Sequence, residues 1–180
     1  NFLHERSPAG LWSVDELPAP PDNNLVDIGL DGTRVYVTTL GGVGRFDGTR
    51  WRSWKAGDAC AGAGCDTTFE NPSFTLGMLV DSKGRKWVGS WPTAFESFVD
   101  DGPVPVFTRH WDVVPNGDVN QPNAGHTWVY SAAEDTFGGR WFGLDTAERD
   151  TYPPLGLSYY DPGGSYVRVF DTSDGMSGLF

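Results

Sequence analysis

The feature that most constrains this chain is a passage it repeats. Residues Phe74 to Trp87 run as an apolar stretch, then Asp81-Ser82-Lys83-Gly84, then Trp87-Val88-Gly89. Residues Trp128 to Trp141 follow the same order, with Asp135-Thr136-Phe137-Gly138 and then Trp141-Phe142-Gly143. An earlier copy, Leu25 to Thr39, has the shortened turn Asp31-Gly32 and places Tyr36 where the later copies have Trp. The three aromatics fall roughly 50 residues apart, a period that suits β-propeller blades. The competing architecture is an ordinary antiparallel sandwich with look-alike turns. The ordered recurrence of apolar run, Asp-Gly turn, aromatic and glycine favours the propeller.

Each part of the unit has a physical reading. The Asp carboxylate caps a tight turn and the Gly supplies its φ > 0 position. The Gly after the Trp lets a neighbouring strand approach closely. A third strand reads from Val43 to Asp47 and from Leu157 to Asp161, and an aromatic fourth strand follows at Trp51–Trp54, Phe107–Trp111 and Tyr166–Phe170. The expected fold is therefore all-β, about three four-stranded antiparallel blades over Leu25–Trp54, Phe74–Trp111 and Trp128–Phe170. Residues 1–180 then form one partial propeller domain, with 11–24 as the tail of a preceding blade and 171–180 as the start of a following one. The middle copy is the least regular. Trp91 to Pro105 shows no clear third strand, and Phe95, Phe98 and Val99 share a helical face, which reads as a packed loop or at most two helical turns. Tyr36, Trp87 and Trp141 are expected at equivalent buried positions between blades.

These residues resemble the two-component regulator propeller repeat, whose pattern runs Asp-x-x-Gly, then Trp, Val or Ile, Gly and Thr or Ser, then Gly-Leu and an aromatic-Asp pair. Gly84 to Ser90 and Gly139 to Leu144 are similar to its core, Thr38 to Asp47 to its second half, and Asp174-Gly175-Met176 to the link into a next blade. The resemblance covers about residues 11–180. It implies a ligand-sensing or interaction module outside the cytoplasm, periplasmic or secreted, in a larger sensor or secreted protein. It does not imply catalysis. Gly42 to Phe46 weakly resembles the repeat of streptogramin lyases, so a propeller enzyme of that kind, or a carbohydrate-active one, is the alternative. A purely structural scaffold is a third reading.

A closed propeller needs about 4–8 blades. Three leave raw sheet faces, so the expectation is a piece of a longer protein or closure by assembly. The chain begins at Asn1, without a signal peptide, and no apolar stretch approaches a membrane span, so membrane attachment would come only through segments outside these residues. The net charge of −11, from 13 basic and 24 acidic residues, argues against nucleic acid as a partner. Cys60 and Cys65 sit in a polar, Gly-rich loop. A disulfide, two free thiols and a zinc site are all compatible with that spacing. The even count favours the disulfide, while zinc would need further ligands, and His4, His110 and His126 are scattered. No cofactor or catalytic signature is legible.

In a four-stranded blade, the first and third turns lie on one end and the second turn and the crossover on the other. The Asp-Gly turns are short. The long segments, 56–73, 91–104, 114–125 and 145–155, share the opposite end, where function concentrates. The candidate ligand-binding residues are therefore Trp91, Glu96, His126, Asp145, Glu148, Arg149 and Tyr152. Aromatic faces beside charged groups suit a small molecule, a glycan or a protein ligand.

Overall fold

The Asp-Gly turns close hairpins in all three repeats. The computed structural model describes residues 3–6, 12–15, 20–55, 74–91, 95–102, 105–110, 127–146 and 156–176. Three antiparallel sheets of four strands each follow the chain in order. The first is β3 (Leu25–Asp31), β4 (Arg34–Thr39), β5 (Gly42–Phe46) and β6 (Trp51–Trp54). The second is β7 (Phe74–Val80), β8 (Lys86–Trp91), β9 (Phe95–Val99) and β10 (Val106–His110). The third is β11 (Thr127–Glu134), β12 (Arg140–Thr146), β13 (Gly156–Tyr160) and β14 (Tyr166–Phe170). Ahead of them β1 (Leu3–Arg6) pairs with β2 (Trp12–Asp15), and a short 3-10 turn spans Thr172–Asp174. The sheets stack face to face, with the first strands β3, β7 and β11 adjacent in succession. This is the arrangement of a partial β-propeller, and each sheet is a blade.

The turn chemistry is the same in the second and third blades. Asp81 Oδ1 accepts from the backbone N–H of Lys83 at 3.0 Å and of Arg85 at 2.9 Å, and Gly84 takes φ 74°. Asp135 Oδ1 accepts from Phe137 and Gly139 at 2.9 and 2.8 Å, with Gly138 at φ 83°. The second carboxylate oxygen takes the indole N–H six residues on, Trp87 or Trp141, at 2.9 Å in both blades. One Asp thus caps the turn and orients the inter-blade aromatic.

Register makes Tyr36, Trp87 and Trp141 equivalent. They pair with Gly29, Leu79 and Ala133, each two residues before the turn Asp. Tyr36 and Trp87 are buried, Tyr36 in a core with Val43, Trp54, Met78, Val88, Phe98 and Phe107, and Trp87 in a second core with Val129, Phe142, Leu144 and Tyr160. Trp141 departs from the expectation: it is half-buried, because it lies on the face of the third blade that none of the described sheets covers. The Trp-Val-Gly glycine has the expected role, since a Cβ on Gly89 would stand 2.2 Å from the Val129 carbonyl oxygen of the next blade.

The middle copy corrects the sequence reading. Phe95 to Val99 form neither a loop nor a helix but a regular third strand, β9. Phe98 is fully buried against Tyr36, Trp54 and Phe107 on one side, while Ser97, also fully buried, meets His110. With both sides of the strand covered and polar residues on it, the two-residue alternation that marks a strand is lost.

Between blades, ion pairs reach backward. Lys86 Nζ, on blade 2, donates to Asp31 Oδ2 of the blade 1 turn at 2.7 Å and to Asp100 Oδ1 at 3.2 Å, and lies 4.6 Å from the centre of the Tyr36 ring. Arg140, on blade 3, donates from Nε to Asp81 Oδ2 of the blade 2 turn at 2.9 Å and lies 5.0 Å from the Trp87 ring. Asp100 is fully buried and gathers Tyr36 Oη at 2.7 Å and Arg45 Nη1 at 2.6 Å as well. Burial alone would raise the Asp100 pKa, but the hydrogen bonds from Tyr36 and Arg45 and the Lys86 charge hold it below the usual carboxylate range. At Asp81 burial is likewise outweighed, by the Trp87 indole, the Arg85 N–H and Arg140, and its pKa is also lowered.

Three outcomes follow from this packing. Trp87→Ala should cost about 3–5 kcal/mol in denaturant unfolding, since it empties a closed aromatic core, whereas Trp141→Ala should cost clearly less. Asp100→Ala leaves Lys86 and Arg45 without their shared anion and should cost about 3–5 kcal/mol. A carboxyl with a lowered folded pKa contributes stability that is complete above its unfolded value, roughly 3.9, and is lost as pH falls through the folded value. Thermal melts should therefore show stability dropping below about pH 4, more steeply in the wild type than in Asp100→Asn. Equal slopes would show that Asp100 is not among the groups responsible.

Candidate binding face

Sheet order fixes which connections share an end. The Asp31, Asp81 and Asp135 turns and the third turns, from Asp47, Asp100 and Asp161, lie together, because consecutive strands are antiparallel neighbours. Much of the polar capacity at this end is spent on neighbouring blades. Glu134 accepts from Ser82 N and Ser82 Oγ at 2.6 and 2.9 Å, and Lys83 Nζ donates to the Pro162 carbonyl at 2.9 Å. The Asp47 turn is closed on itself. Hydrogen bonds from the Thr49 hydroxyl, then from the Arg50 and Thr49 N–H groups, lower its carboxyl pKa to about 2.

The opposite end is built differently. In the first blade the second connection is the tight Leu40-Gly41, pinned by Leu40 N to the Asn24 carbonyl at 3.1 Å and by Gly41 N to Thr39 Oγ1 at 3.1 Å. Beside it, Thr39 N–H donates across the blade boundary to Thr75 Oγ1 at 3.0 Å. In the second blade, β8 ends at Trp91 and β9 begins at Phe95, so the expected long segment 91–104 is cut to a three-residue connection at this end. In the third blade β12 ends at Thr146 and β13 begins at Gly156, and the crossovers run from Trp54 to Phe74 and from His110 to Thr127. The long connections therefore leave from one end of the stack.

Two of the candidate residues are carried to that end by described backbone. Trp91 is the last residue of β8, opposite Phe74, and Asp145 lies near the end of β12, opposite Trp128. Glu96 is on β9, opposite Val88 and Arg109, and is only 2% exposed, so its carboxylate sits inside the stack. His126, Glu148, Arg149 and Tyr152 lie outside the described residues, as do Cys60 and Cys65. Sequence reasoning missed the cation position occupied by Lys86 and Arg140. Its signal was a basic residue directly before the Trp in both long-turn copies, hidden because charged residues ordinarily read as solvated surface.

One Ser–His contact resembles a catalytic pair in its distance alone. Ser97 Oγ is 2.9 Å from His110 Nε2 and also accepts from Arg85 Nη1 at 3.1 Å. Ser97 is fully buried, and the His110 ring lies 4.8 Å from the Trp87 ring. A hydroxyl closed off from solvent, between a guanidinium and a stacked imidazole, ties β9 to β10 and offers no approach to a substrate. Among the described residues no three His, Cys, Asp or Glu side chains are placed to hold a metal, and no helix is long and apolar enough to cross a membrane.

No protein-family model matches the chain, and no curated protein matches it. Solved structures do. The extracellular domain of BT4673 of B. thetaiotaomicron, described in one structure as a proposed one-component system, is 14% identical over 87% of this chain, with a TM-score of 0.59. In a second structure BT4673 is described as a proposed hybrid two-component system, at 13% identity, 88% coverage and a TM-score of 0.58. PorZ, a bacterial surface component of the type-IX secretion system of Porphyromonas gingivalis, is 18% identical over 89% of the chain, with a TM-score of 0.57. The chain spans 18%, 18% and 22% of those proteins' own lengths. At these identities the likeness is one of fold, and the fold it supports is the β-propeller.

Proposed function

We propose that these blades belong to an extracytoplasmic sensing or interaction propeller, periplasmic or secreted, of the two-component regulator propeller type, and that its ligand is taken on the long-connection end. The observation that carries this reading is the division of labour between the two ends of the stack. The turn end has committed Asp81, Ser82, Lys83 and Glu134 to neighbouring blades. The other end collects the long segments, and the backbone brings Trp91 and Asp145 there. The fold neighbours are named as extracellular domains and a surface component, which supports the placement outside the cytoplasm. Trp91, His126, Asp145, Glu148, Arg149 and Tyr152 are the proposed contact residues, and the buried Glu96 is not among them. Aromatic planes among carboxylates and a guanidinium suit a glycan, a small polar molecule or a peptide.

The test is a glycan array and a peptide library probed with the labelled chain. Any hit should weaken at least tenfold in Trp91→Ala/Tyr152→Ala, with an unchanged melting temperature. Phe137→Ser, on the turn end, should leave it unchanged. Loss of the hit in Phe137→Ser and not in the double variant would move the function to the turn end.

A further inference from the structure

We propose that the outer face of the third blade, centred on Asp135 and Trp141, docks one further four-stranded blade that presents Lys or Arg directly before its own inter-blade aromatic. The two interfaces already in the chain supply the template. At each, the residue preceding the aromatic of one blade reaches back to the turn Asp of the blade before it and lies over that blade's aromatic ring. Lys86 does so on Asp31 and Tyr36, and Arg140 on Asp81 and Trp87. Register makes the two cations equivalent, since Lys86 pairs with Val80 and Arg140 with Glu134, each one residue before the turn Asp.

Blade 3 presents the same seat. Trp141 Nε1 donates to Asp135 Oδ2 at 2.9 Å, as Trp87 does to Asp81. Trp141 lies 4.4 Å from Tyr159 and 5.5 Å from Phe170 between ring centres, which gives the seat an aromatic floor. Among the described residues no cation pairs with Asp135. The cation beside that floor, Arg168, is already paired with Asp174 and stacked over Phe170. The seat therefore fits a strand-borne ammonium or guanidinium between a carboxylate and a π face.

A second copy of this chain does not fit. The equivalent position in blade 1 is Val35, which pairs with Leu30 before Asp31. It shares with Ile28 and Leu30 the side of blade 1 turned away from Met78 and Val80 of blade 2. Head-to-tail stacking of two copies would cover the Asp135 carboxylate with Val35 and give it no counter-charge. The occupant is a blade of this design that carries the cation.

Sedimentation of the full chain tests this. Val35→Lys places the missing cation on a blade of the right shape. It should raise head-to-tail self-association at least tenfold over the wild type, a heterologous contact that builds open assemblies. Asp135→Asn in the Val35→Lys background should remove that gain. Val35→Arg is the second cation, used if circular dichroism shows Val35→Lys misfolded. Association no tighter than the wild type in the folded variant, or a gain that survives Asp135→Asn, overturns the proposal.

Discussion

The cation that reaches backward from each blade to its predecessor is the contact on which the stacking register depends. A propeller interface is otherwise a pair of apolar sheet faces, and such faces tolerate sliding because dispersion and burial are non-directional. Lys86 and Arg140 remove that freedom. Each meets a carboxylate and a ring of the preceding blade while a carbonyl of its own blade holds it, a set of contacts that a slipped register would break. The same aspartate that receives Arg140 also shapes its own hairpin and holds its own Trp, so turn, aromatic and neighbour are set by a single side chain. Buried charge of this kind adds little net stability compared with an apolar substitute, and its use here is in specifying alignment.

Architecture was legible from residues because its signals are local. Asp81 to Gly84 and Asp135 to Gly138 announce turns, the spacing of Trp87 and Trp141 announces a period, and both follow from short-range chemistry. β9 was illegible for the opposite reason. Glu96, Ser97 and Asp100 are polar yet buried, because partners on β4, β5, β8 and β10 satisfy several of their groups, and no local pattern reports on those partners. Asp100 is the clearest case: read alone it is a loop carboxylate before a Gly, and in the fold it is the buried centre of a four-residue charge cluster. The candidate binding residues were chosen by topology, and topology placed Trp91 and Asp145. Glu96 was chosen on the same topological ground, because 91–104 reads as a loop, and it fails because β9 carries it into the stack between β8 and β10.

The two ends of the stack are built differently. Turn-end groups bond to each other and to adjacent blades, so that end behaves as a frame. The first blade's tight Leu40-Gly41 link contrasts with the longer span from Thr146 to Gly156 in the third, so variation in length falls where a ligand surface would be adjusted without disturbing the frame.

The closed core of blade 2 has a consequence for how the array comes apart. Blade 2 is covered on both faces, by the Tyr36 cluster on one side and by the Trp87 cluster on the other, while among the described sheets blades 1 and 3 are each packed on one. In such a linear stack cooperativity passes only between nearest neighbours. Taken by themselves, these three blades open from the outer two inward. The amide protons of β8, held between β7 and β9 and between two cores, are the last to exchange with solvent.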